Sequence, residues 1–235
     1  MARRLRISAG GIAYHVLNRR VGRQPLFEDD GEYAALEKVL EEAHARFGMP
    51  LLDYCLMPNH WHLVLWPGQS GLLSRYMQWL TTTHMRRWHA HRRTVGSGPL
   101  YQGRFKSFPV QEDGHLLTVC RYVERNALRA DLAPTAQGWR WGSLWQRRQP
   151  QPPPWLLATE RWPITLPDDW LRTVNRPQGE RELEALRRSV GRGAPFGDDA
   201  WTLRTATELR LQSSLRPAWR PKSRKPVKSA AGRDK

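Results

Sequence analysis

The feature that most constrains the fold of this chain is a short apolar run that begins with two histidines. His60 and His62 flank Trp61, and the run continues as Leu63-Val64-Leu65-Trp66 until Pro67. This pattern predicts a buried strand of about seven residues. On a strand, positions i and i+2 point to the same face roughly 6.5–7 Å apart along the chain, so both imidazoles can reach one metal ion while Trp61 packs on the opposite face. The motif fits two structural histidines near a sheet end equally well.

The patterns around this strand predict the element order β-α-β-β-α-β-α. Period-two patterns predict strands over residues 11–19, 51–56, 60–66 and 104–110, and helical spacing predicts helices over residues 31–47, 70–91 and 115–128. Asp113 is placed to cap the last of these helices. A split β-α-β series of this kind predicts an α+β fold, a ferredoxin-like antiparallel sheet with helices packed largely on one face.

The composition of the chain changes after Trp141. Residues 149–154, Gln-Pro-Gln-Pro-Pro-Pro, predict a semi-rigid spacer, and two short helices are predicted over residues 180–190 and 198–211. The Lys-, Arg- and Pro-rich end is predicted to be disordered without a ligand. We therefore expect a core domain over residues 1–147, a Pro-rich linker and short-helix extension over 148–215, and a basic disordered tail over 216–235.

Basic residues are concentrated around the predicted histidine strand. The chain has 38 Lys and Arg against 22 Asp and Glu, a formal net charge of +16, and no acidic residue occurs from Tyr54 to Gln111. Seven basic residues fall in that stretch: Arg75, Arg86, Arg87, Arg92, Arg93, Arg104 and Lys106. Such arrays neutralise phosphates, so the charge pattern favours a nucleic acid as partner over a merely solvated basic face.

Composition also bears on location and on the cysteines. No stretch approaches the roughly 18 apolar residues that span a bilayer, and the N-terminus lacks the apolar segment of a signal peptide. We expect a cytoplasmic protein with no membrane partner. Cys55 and Cys120 are isolated thiols without C-x-x-C spacing, and we expect both to be small buried hydrophobes rather than disulfide or zinc ligands.

Any third metal ligand has to come from outside the acid-free stretch. Tyr122 and Asn126 are spaced i and i+4 on the last predicted helix, so they project from the same helical face. A phenol beside a cation that polarises a phosphate can attack phosphorus, and the Asn126 amide can supply a third metal oxygen. Tyr33 and Glu37 have the same spacing, and a carboxylate is the better ligand for a hard cation. The residues alone leave these two pairs level.

Several segments of the chain together match a known pattern. They are Tyr14–Val16 with Arg19, Cys55–Pro67, Leu100–Ser107 and Arg121–Arg129, followed by Trp139–Ser143, Pro195–Gly197 and the basic tail. This set resembles the REP-associated tyrosine transposases, which are bacterial relatives of the single-tyrosine insertion-sequence transposases in the HUH nuclease superfamily. The resemblance covers nearly the whole chain.

The resemblance implies a metal-dependent transposase whose catalytic domain spans residues 1–147. His60, His62 and Asn126 would bind Mg²⁺ or Mn²⁺, and Tyr122 would be the nucleophile. At the position of Asn126 many relatives have Gln. The implied activity is cleavage of single-stranded DNA and strand transfer through a 5′-phosphotyrosine intermediate, with REP-like hairpin DNA as the substrate.

Basic residues and tryptophans of the chain are the candidates for contacts with DNA. Basic side chains are expected to hold the DNA, namely Arg104, Lys106, Arg86 and Arg87. Trp88 and Trp141 are candidates for stacking on unpaired bases. Two other functions stay open: a DNA- or RNA-binding regulator with an inert metal site, and a metal phosphodiesterase that uses water. We expect a nucleoid-associated protein, either a monomer or a homodimer.

Overall fold

Four antiparallel strands form the central sheet of this protein. The computed structural model describes residues 8–216, so the N-terminal arginines at positions 3, 4 and 6 and the predicted basic tail after Arg216 lie outside the described residues. The strands are β1 (Ala13–Arg19), β2 (Leu51–Met57), β3 (His60–Leu65) and β4 (Lys106–Val110), in the order β2-β3-β1-β4. The predicted α+β, ferredoxin-like antiparallel sheet is confirmed.

Two of the main helices begin at capping aspartates, and the first helix ends at a glycine. In the first half of the chain the helices are α1 (Asp30–Phe47), α2 (Leu72–His91), α3 (Gly114–Glu124) and α4 (Asn126–Arg129). Asp29 caps α1 by accepting a hydrogen bond from the Glu32 N–H at 3.0 Å, and Gly48 ends it with a left-handed φ of 58°. Asp113 caps α3 as predicted, since it accepts from the His115 N–H at 2.8 Å.

Helices cover both faces of the sheet, so the expectation that they lie largely on one face is wrong. α1 and α2 pack on the face that carries Trp61, whereas α3 packs on the other face against Val64 and Phe108. The cause is the composition of the strands. Every residue of β2 and nearly all of β1 and β3 are buried, so neither face can be left to solvent.

The C-terminal extension packs against the sheet. The one-turn helix α5 (Ser143–Gln146) precedes the extension, and the extension itself contains α6 (Trp170–Asn175), α7 (Glu180–Arg192), α8 (Asp199–Glu208) and α9 (Gln212–Leu215). Three single-turn 3₁₀ segments lie at Val21–Arg23, Ala136–Gly138 and Thr159–Arg161. The Leu157 N–H donates to the Leu51 carbonyl on edge strand β2 at 2.9 Å, and Phe196 forms a parallel bridge with Val110 on edge strand β4. Both sheet edges are thus partly covered, which limits pairing with another chain.

The two tryptophans named as candidates for stacking on bases are core residues. Trp88 and Trp141 are both buried in the cluster between the sheet and the helices α1 and α2. Trp88 donates to the Leu26 carbonyl at 3.0 Å, and Trp141 stacks on Tyr33 with ring centroids 5.0 Å apart. Neither ring is available to an unpaired base. Within residues 8–216 no helix is long and apolar enough to cross a membrane.

Candidate active site

Strand register brings three histidines to the face of the sheet that α3 covers. His62 on β3 lies opposite Leu17 on β1, and His15 on β1 lies opposite Val64 on β3. Directly opposed residues of an antiparallel pair share a face, as do alternate residues of one strand. His60, His62 and His15 therefore point to the same side, while Trp61 points to the other, as its position in the motif predicts.

Each histidine of the H-x-H motif has its Nδ1 atom in a short contact. His60 Nδ1 lies 2.6 Å from the Asn59 side-chain oxygen, and His62 Nδ1 lies 2.8 Å from His15 Nε2. The imidazole centroids of His60 and His62 are 4.9 Å apart. Because the Nδ1 atoms are engaged, the Nε2 atoms are the ones that can bind a ligand. Nδ1 contacts of this kind fix the orientation of metal-binding imidazoles.

The three imidazoles are neutral at neutral pH. Burial lowers the pKa of His15 to about 3 and is the largest cause that lowers the pKa of His60 to about 4, with smaller effects of the Arg19 and Arg129 charges. The pKa of His62 lies well below its usual value for the same reason, helped by the neighbouring His60 and His15. Metals bind the neutral form of imidazole, so these rings are in the state that a cation requires.

Tyr122 lies over the same face of the sheet. Its ring centroid is 5.8 Å from that of His62 and 6.2 Å from that of His15, both edge to face. The competing pair is elsewhere. Tyr33 on α1 is packed between Phe27 and Trp141 on the opposite face, and Glu37 accepts the Tyr54 hydroxyl at 2.6 Å. Of the two pairs, the structure brings only Tyr122 and Asn126 to the histidine face.

Arg129 connects Tyr122 with Asn126. Its guanidinium carbon lies 4.3 Å from the Tyr122 ring centroid, and its Nη2 donates to Asn126 Oδ1 at 2.9 Å. Two buried atoms here have no hydrogen-bond partner among the described residues, Arg129 Nη1 and Asn126 Nδ2. The carbonyl oxygen of an amide has two lone pairs, so Asn126 Oδ1 can bind a cation while Arg129 still donates to it.

The helix that carries Tyr122 is interrupted one turn later. We predicted a continuous helix to about residue 128, but Arg125 has ψ near −5° and separates α3 from α4. The Arg125 guanidinium donates to the Val174 and Asn175 carbonyls of α6, and helical bonding resumes with the Arg129 N–H donating to the Arg125 carbonyl. The interruption is small enough that Tyr122, Asn126 and Arg129 stay on one side.

A buried ionic cluster holds the C-terminal end of α3. Glu124 accepts from Trp170 Nε1 at 2.8 Å and lies 3.3 Å from Arg147, which also faces Asp53. Ser143 donates to Asp53. Burial raises the pKa of Glu124 to about 7 against the opposing effect of Arg147. Burying charged groups is costly unless they are paired, so these contacts fix α3 in one position relative to β2 and α6.

The residues present fit a hard divalent cation, with one weak ligand. Two neutral imidazoles and an amide oxygen whose nitrogen has no partner within the described chain are a possible facial set, although Mg²⁺ and Mn²⁺ prefer oxygen. Among residues 8–216, no group of three or more His, Cys, Asp and Glu side chains is arranged to hold a metal. A third protein ligand would therefore have to be a group of another kind, such as the amide of Asn126. Cys55 and Cys120 are buried free thiols, as expected.

A basic cleft adjoins the histidines. It has a volume of about 390 Å³ and is lined by Arg19, Arg104, Lys106, Asn18, Gln102 and Val190 among others. Lys106 lies opposite Leu17, in the same cross-strand row as His62. None of the three basic side chains that line the cleft takes part in an ion pair within the described part of the chain. These charges are therefore available to an anion.

Arg86 and Arg87 are not brought to this cleft. Both lie on α2, which packs on the opposite face of the sheet, and Arg87 forms a two-pronged contact with Glu42 at 2.8 and 3.0 Å. Their role in DNA binding stays a prediction, but they cannot act at the same phosphate as Arg104 and Lys106.

Sequence reasoning gave no role to His15 and Arg129. Both could have been found from spacing. His15 alternates with Tyr14 and Val16 on β1, so it must share a face with the odd positions of that strand. Arg129 follows Tyr122 by seven residues and Asn126 by three, which is the spacing of one helical face.

Comparison with known proteins is consistent with this geometry. A family model described as "Transposase IS200 like" matches residues 8–126. A solved REP-associated tyrosine transposase, bound to a REP hairpin, aligns over 67% of this chain and 92% of its own with 14% identity and a TM-score of 0.52. A putative transposase from Deinococcus radiodurans aligns over 53% of this chain and 97% of its own with 19% identity and a TM-score of 0.37. The first likeness shows a shared fold. No curated protein matches this chain.

Proposed function

Because this chain belongs to the family of IS200-like transposases, we propose that it cleaves single-stranded DNA and transfers the strand through a 5′-phosphotyrosine on Tyr122. One observation carries this proposal. A tyrosine within the matched region lies edge to face with His62 of an H-x-H strand whose two imidazoles are neutral, and a guanidinium lies against the tyrosine ring.

His60, His62 and Asn126 are the residues that would hold the metal. The ligand atoms would be the two Nε2 atoms and the amide oxygen. Bound there, Mg²⁺ or Mn²⁺ would neutralise charge on the scissile phosphate and polarise its P–O bonds. The protein contributes orientation, because Asn59 and His15 hold the two imidazoles by their Nδ1 atoms.

The chemical step exchanges one phosphodiester for another. The Tyr122 phenolic oxygen attacks phosphorus, an O–P bond to tyrosine forms, and the bond from phosphorus to the 3′ oxygen breaks. The phenol loses its proton and the departing 3′ oxygen gains one, so the step needs neither an oxidant nor a reductant. The 3′-hydroxyl of a second strand can attack the phosphotyrosine in the same way, which forms a new phosphodiester, releases the Tyr122 oxygen to regain its proton, and completes the strand transfer.

Arg129 is placed to stabilise the charges that develop in this step. Its guanidinium lies against the Tyr122 ring, and its buried Nη1 atom has no partner among the described residues. A preorganised cation near a phenolate and a phosphate stabilises the transition state most where water is partly excluded. We assign Arg129 to the scissile phosphate, and Arg19, Arg104 and Lys106 to the strand that leads to it.

The substrate that fits best is an unpaired strand beside a hairpin. The buried nucleophile and the cleft at the sheet suit a single strand, whose phosphates can enter without a second strand attached. The structural relative was solved with a REP hairpin, and we extend that substrate class to this chain. The test offers a labelled single strand next to a hairpin and a perfect duplex of the same sequence. The proposal requires Mn²⁺-dependent cutting of the first and not the second.

Two other functions predict different products in the same assay. A binding regulator with an inert metal site would retain the DNA but leave it uncut. A phosphodiesterase that uses water would cut it and leave no DNA attached to protein. Denaturing electrophoresis separates these outcomes from the covalent adduct that Tyr122 would form.

A further inference from the structure

We propose that His15 is a positioning residue that holds His62 in the tautomer required for metal binding. The inference rests on the proposed metal site. It concerns a residue that would touch neither metal nor DNA, and it assigns a purpose to a buried polar group that the reaction itself does not use.

The contact between the two rings is short and fully enclosed. His15 is 0% exposed and His62 3%, and their nitrogens Nε2 and Nδ1 lie 2.8 Å apart. The His15 ring also packs against Phe108, with centroids 4.9 Å apart. Neither ring can turn toward water, so the proton between these two nitrogens has to be supplied by one of the pair.

The metal decides which ring supplies that proton. A cation on His62 Nε2 needs the lone pair there, so the ring proton of His62 must sit on Nδ1 and be donated to His15 Nε2. His15 must then carry its own proton on Nδ1. In the structure this Nδ1 atom is buried and has no partner among the described residues, so it can hold a proton without displacing another donor. In the reverse arrangement His62 carries its proton on Nε2 and cannot bind a metal.

A positioning role requires a hydrogen-bond acceptor at the place of His15 Nε2. His15→Gln keeps a polar acceptor at about the reach of Nε2, whereas His15→Leu removes the acceptor but fills the site beside Phe108 with an apolar side chain. A merely structural role would favour Leu, because burying an amide with few partners is costlier than burying an alkyl group. A positioning role favours Gln.

The experiment measures Mn²⁺ affinity and thermal stability for the same proteins. We expect His15→Leu to bind Mn²⁺ about 10- to 100-fold more weakly than the wild type, the usual loss when the hydrogen-bond partner of a metal ligand is removed, and His15→Gln to retain most of the affinity. The matched control is His84→Gln. His84 is another buried imidazole, on the opposite face of the sheet, whose Nδ1 lies 2.6 Å from the Tyr101 hydroxyl. This control should lose stability but keep its Mn²⁺ affinity.

The outcomes separate this inference from the proposed function. If the wild type does not bind Mn²⁺, or if His62→Ala binds Mn²⁺ as tightly as the wild type, both the proposed metal site and the proposed role of His15 are refuted. If His62→Ala loses the metal but His15→Leu binds as the wild type does, only the role of His15 is overturned. Should His15→Leu not fold, nitrogen NMR of the wild-type histidines with Mg²⁺ decides the point. A His62 ring protonated on Nδ1 is expected, and one protonated on Nε2 would contradict the inference.

Discussion

Replacing Arg129 with Gln should slow DNA cleavage by a larger factor than it weakens DNA binding, because Arg129 is one of several basic side chains assigned to the DNA. Arg129 touches both the proposed nucleophile and the proposed amide ligand, through the ring contact with Tyr122 and the bond to Asn126. Gln keeps a polar side chain but removes the positive charge. The variant therefore tests whether that charge acts on the reaction rather than on the fold.

The size of the effect follows from the distance. With the 4.3 Å between the guanidinium carbon and the Tyr122 ring centroid as the charge separation, the attraction to a developing phenolate is about 1 kcal/mol in water and about 4 kcal/mol at an effective dielectric constant of roughly 20. Arg129 is half-buried, so we take about 2 kcal/mol. Each 1.36 kcal/mol of barrier is about tenfold in rate, which gives a loss of roughly 30-fold. Arg129→Lys should lose less, because the charge stays while the planar fork is lost.

The assay is single-turnover cleavage of a labelled hairpin with an unpaired flank, at saturating protein and fixed Mn²⁺. Arg75→Gln is the matched control, since Arg75 is an exposed arginine on α2 at the opposite face of the sheet. A rate for Arg129→Gln within about twofold of the wild type would refute the reasoning, because even the value for bulk water predicts a larger loss. An equal loss in Arg75→Gln would show that net charge is the cause.

Three further changes probe other parts of the account. His62→Ala should abolish Mn²⁺-dependent cleavage and weaken Mn²⁺ binding by at least about tenfold in calorimetry, and unchanged affinity would mean that the motif is structural. Tyr33→Phe should leave the yield of covalent protein–DNA adduct unchanged, because Tyr33 stacks in the core on the opposite face of the sheet. Loss of the adduct in this variant would show that the nucleophile is Tyr33 on α1 and not Tyr122. Glu124→Gln tests the cluster that anchors α3. Burial raises the pKa of Glu124 from 4.5 to about 7 in the folded protein. Protonation of Glu124 therefore contributes stability that is fully present below the pKa of the unfolded chain, near 4.5, and is lost as the pH rises through 7. The free energy of unfolding of the wild type should therefore fall relative to Glu124→Gln between pH 5 and pH 8 in urea titrations, and a constant difference would show that Glu124 does not titrate there.

Local sequence patterns carry most of the sheet and the main helices. The strand that holds His60 and His62 and the cap at Asp113 are predicted from residue spacing and hydrogen-bonding chemistry over a few positions. These features are local, so the sequence contains them directly. The same holds for the direction of Trp61, which follows from the alternation of a strand.

The choice between the two tyrosines could not be derived from local spacing. Tyr33 and Tyr122 both lie on helices with a polar side chain one turn later, and which of them meets the histidines depends on which face of the sheet each helix covers. That is a property of the connections between elements. The resemblance to a family favours Tyr122, and the packing of α1 and α3 on opposite faces explains why Tyr122, and not Tyr33, lies on the histidine face.

Tertiary packing also determines where the candidate stacking tryptophans and the candidate DNA-binding residues Arg86 and Arg87 lie. Trp88 and Trp141 are apolar enough for the core and are used there, where their N–H groups or rings find partners. Arg86 and Arg87 belong to the acid-free stretch by sequence, yet α2 carries them to the far face. A run of basic residues in the sequence does not show which face of the sheet each side chain reaches. The register of β1 and β4 places Arg19 and Lys106 at the cleft.

The covalent adduct is the most direct test of the central claim. Wild type and Tyr122→Phe are incubated with labelled hairpin DNA and Mn²⁺, denatured, and resolved by electrophoresis, with DNA affinity measured separately without metal. The account predicts a protein–DNA band for the wild type, no band for Tyr122→Phe, and similar affinity for both, because the variant lacks only the phenolic oxygen. A band of equal yield in Tyr122→Phe would contradict the account.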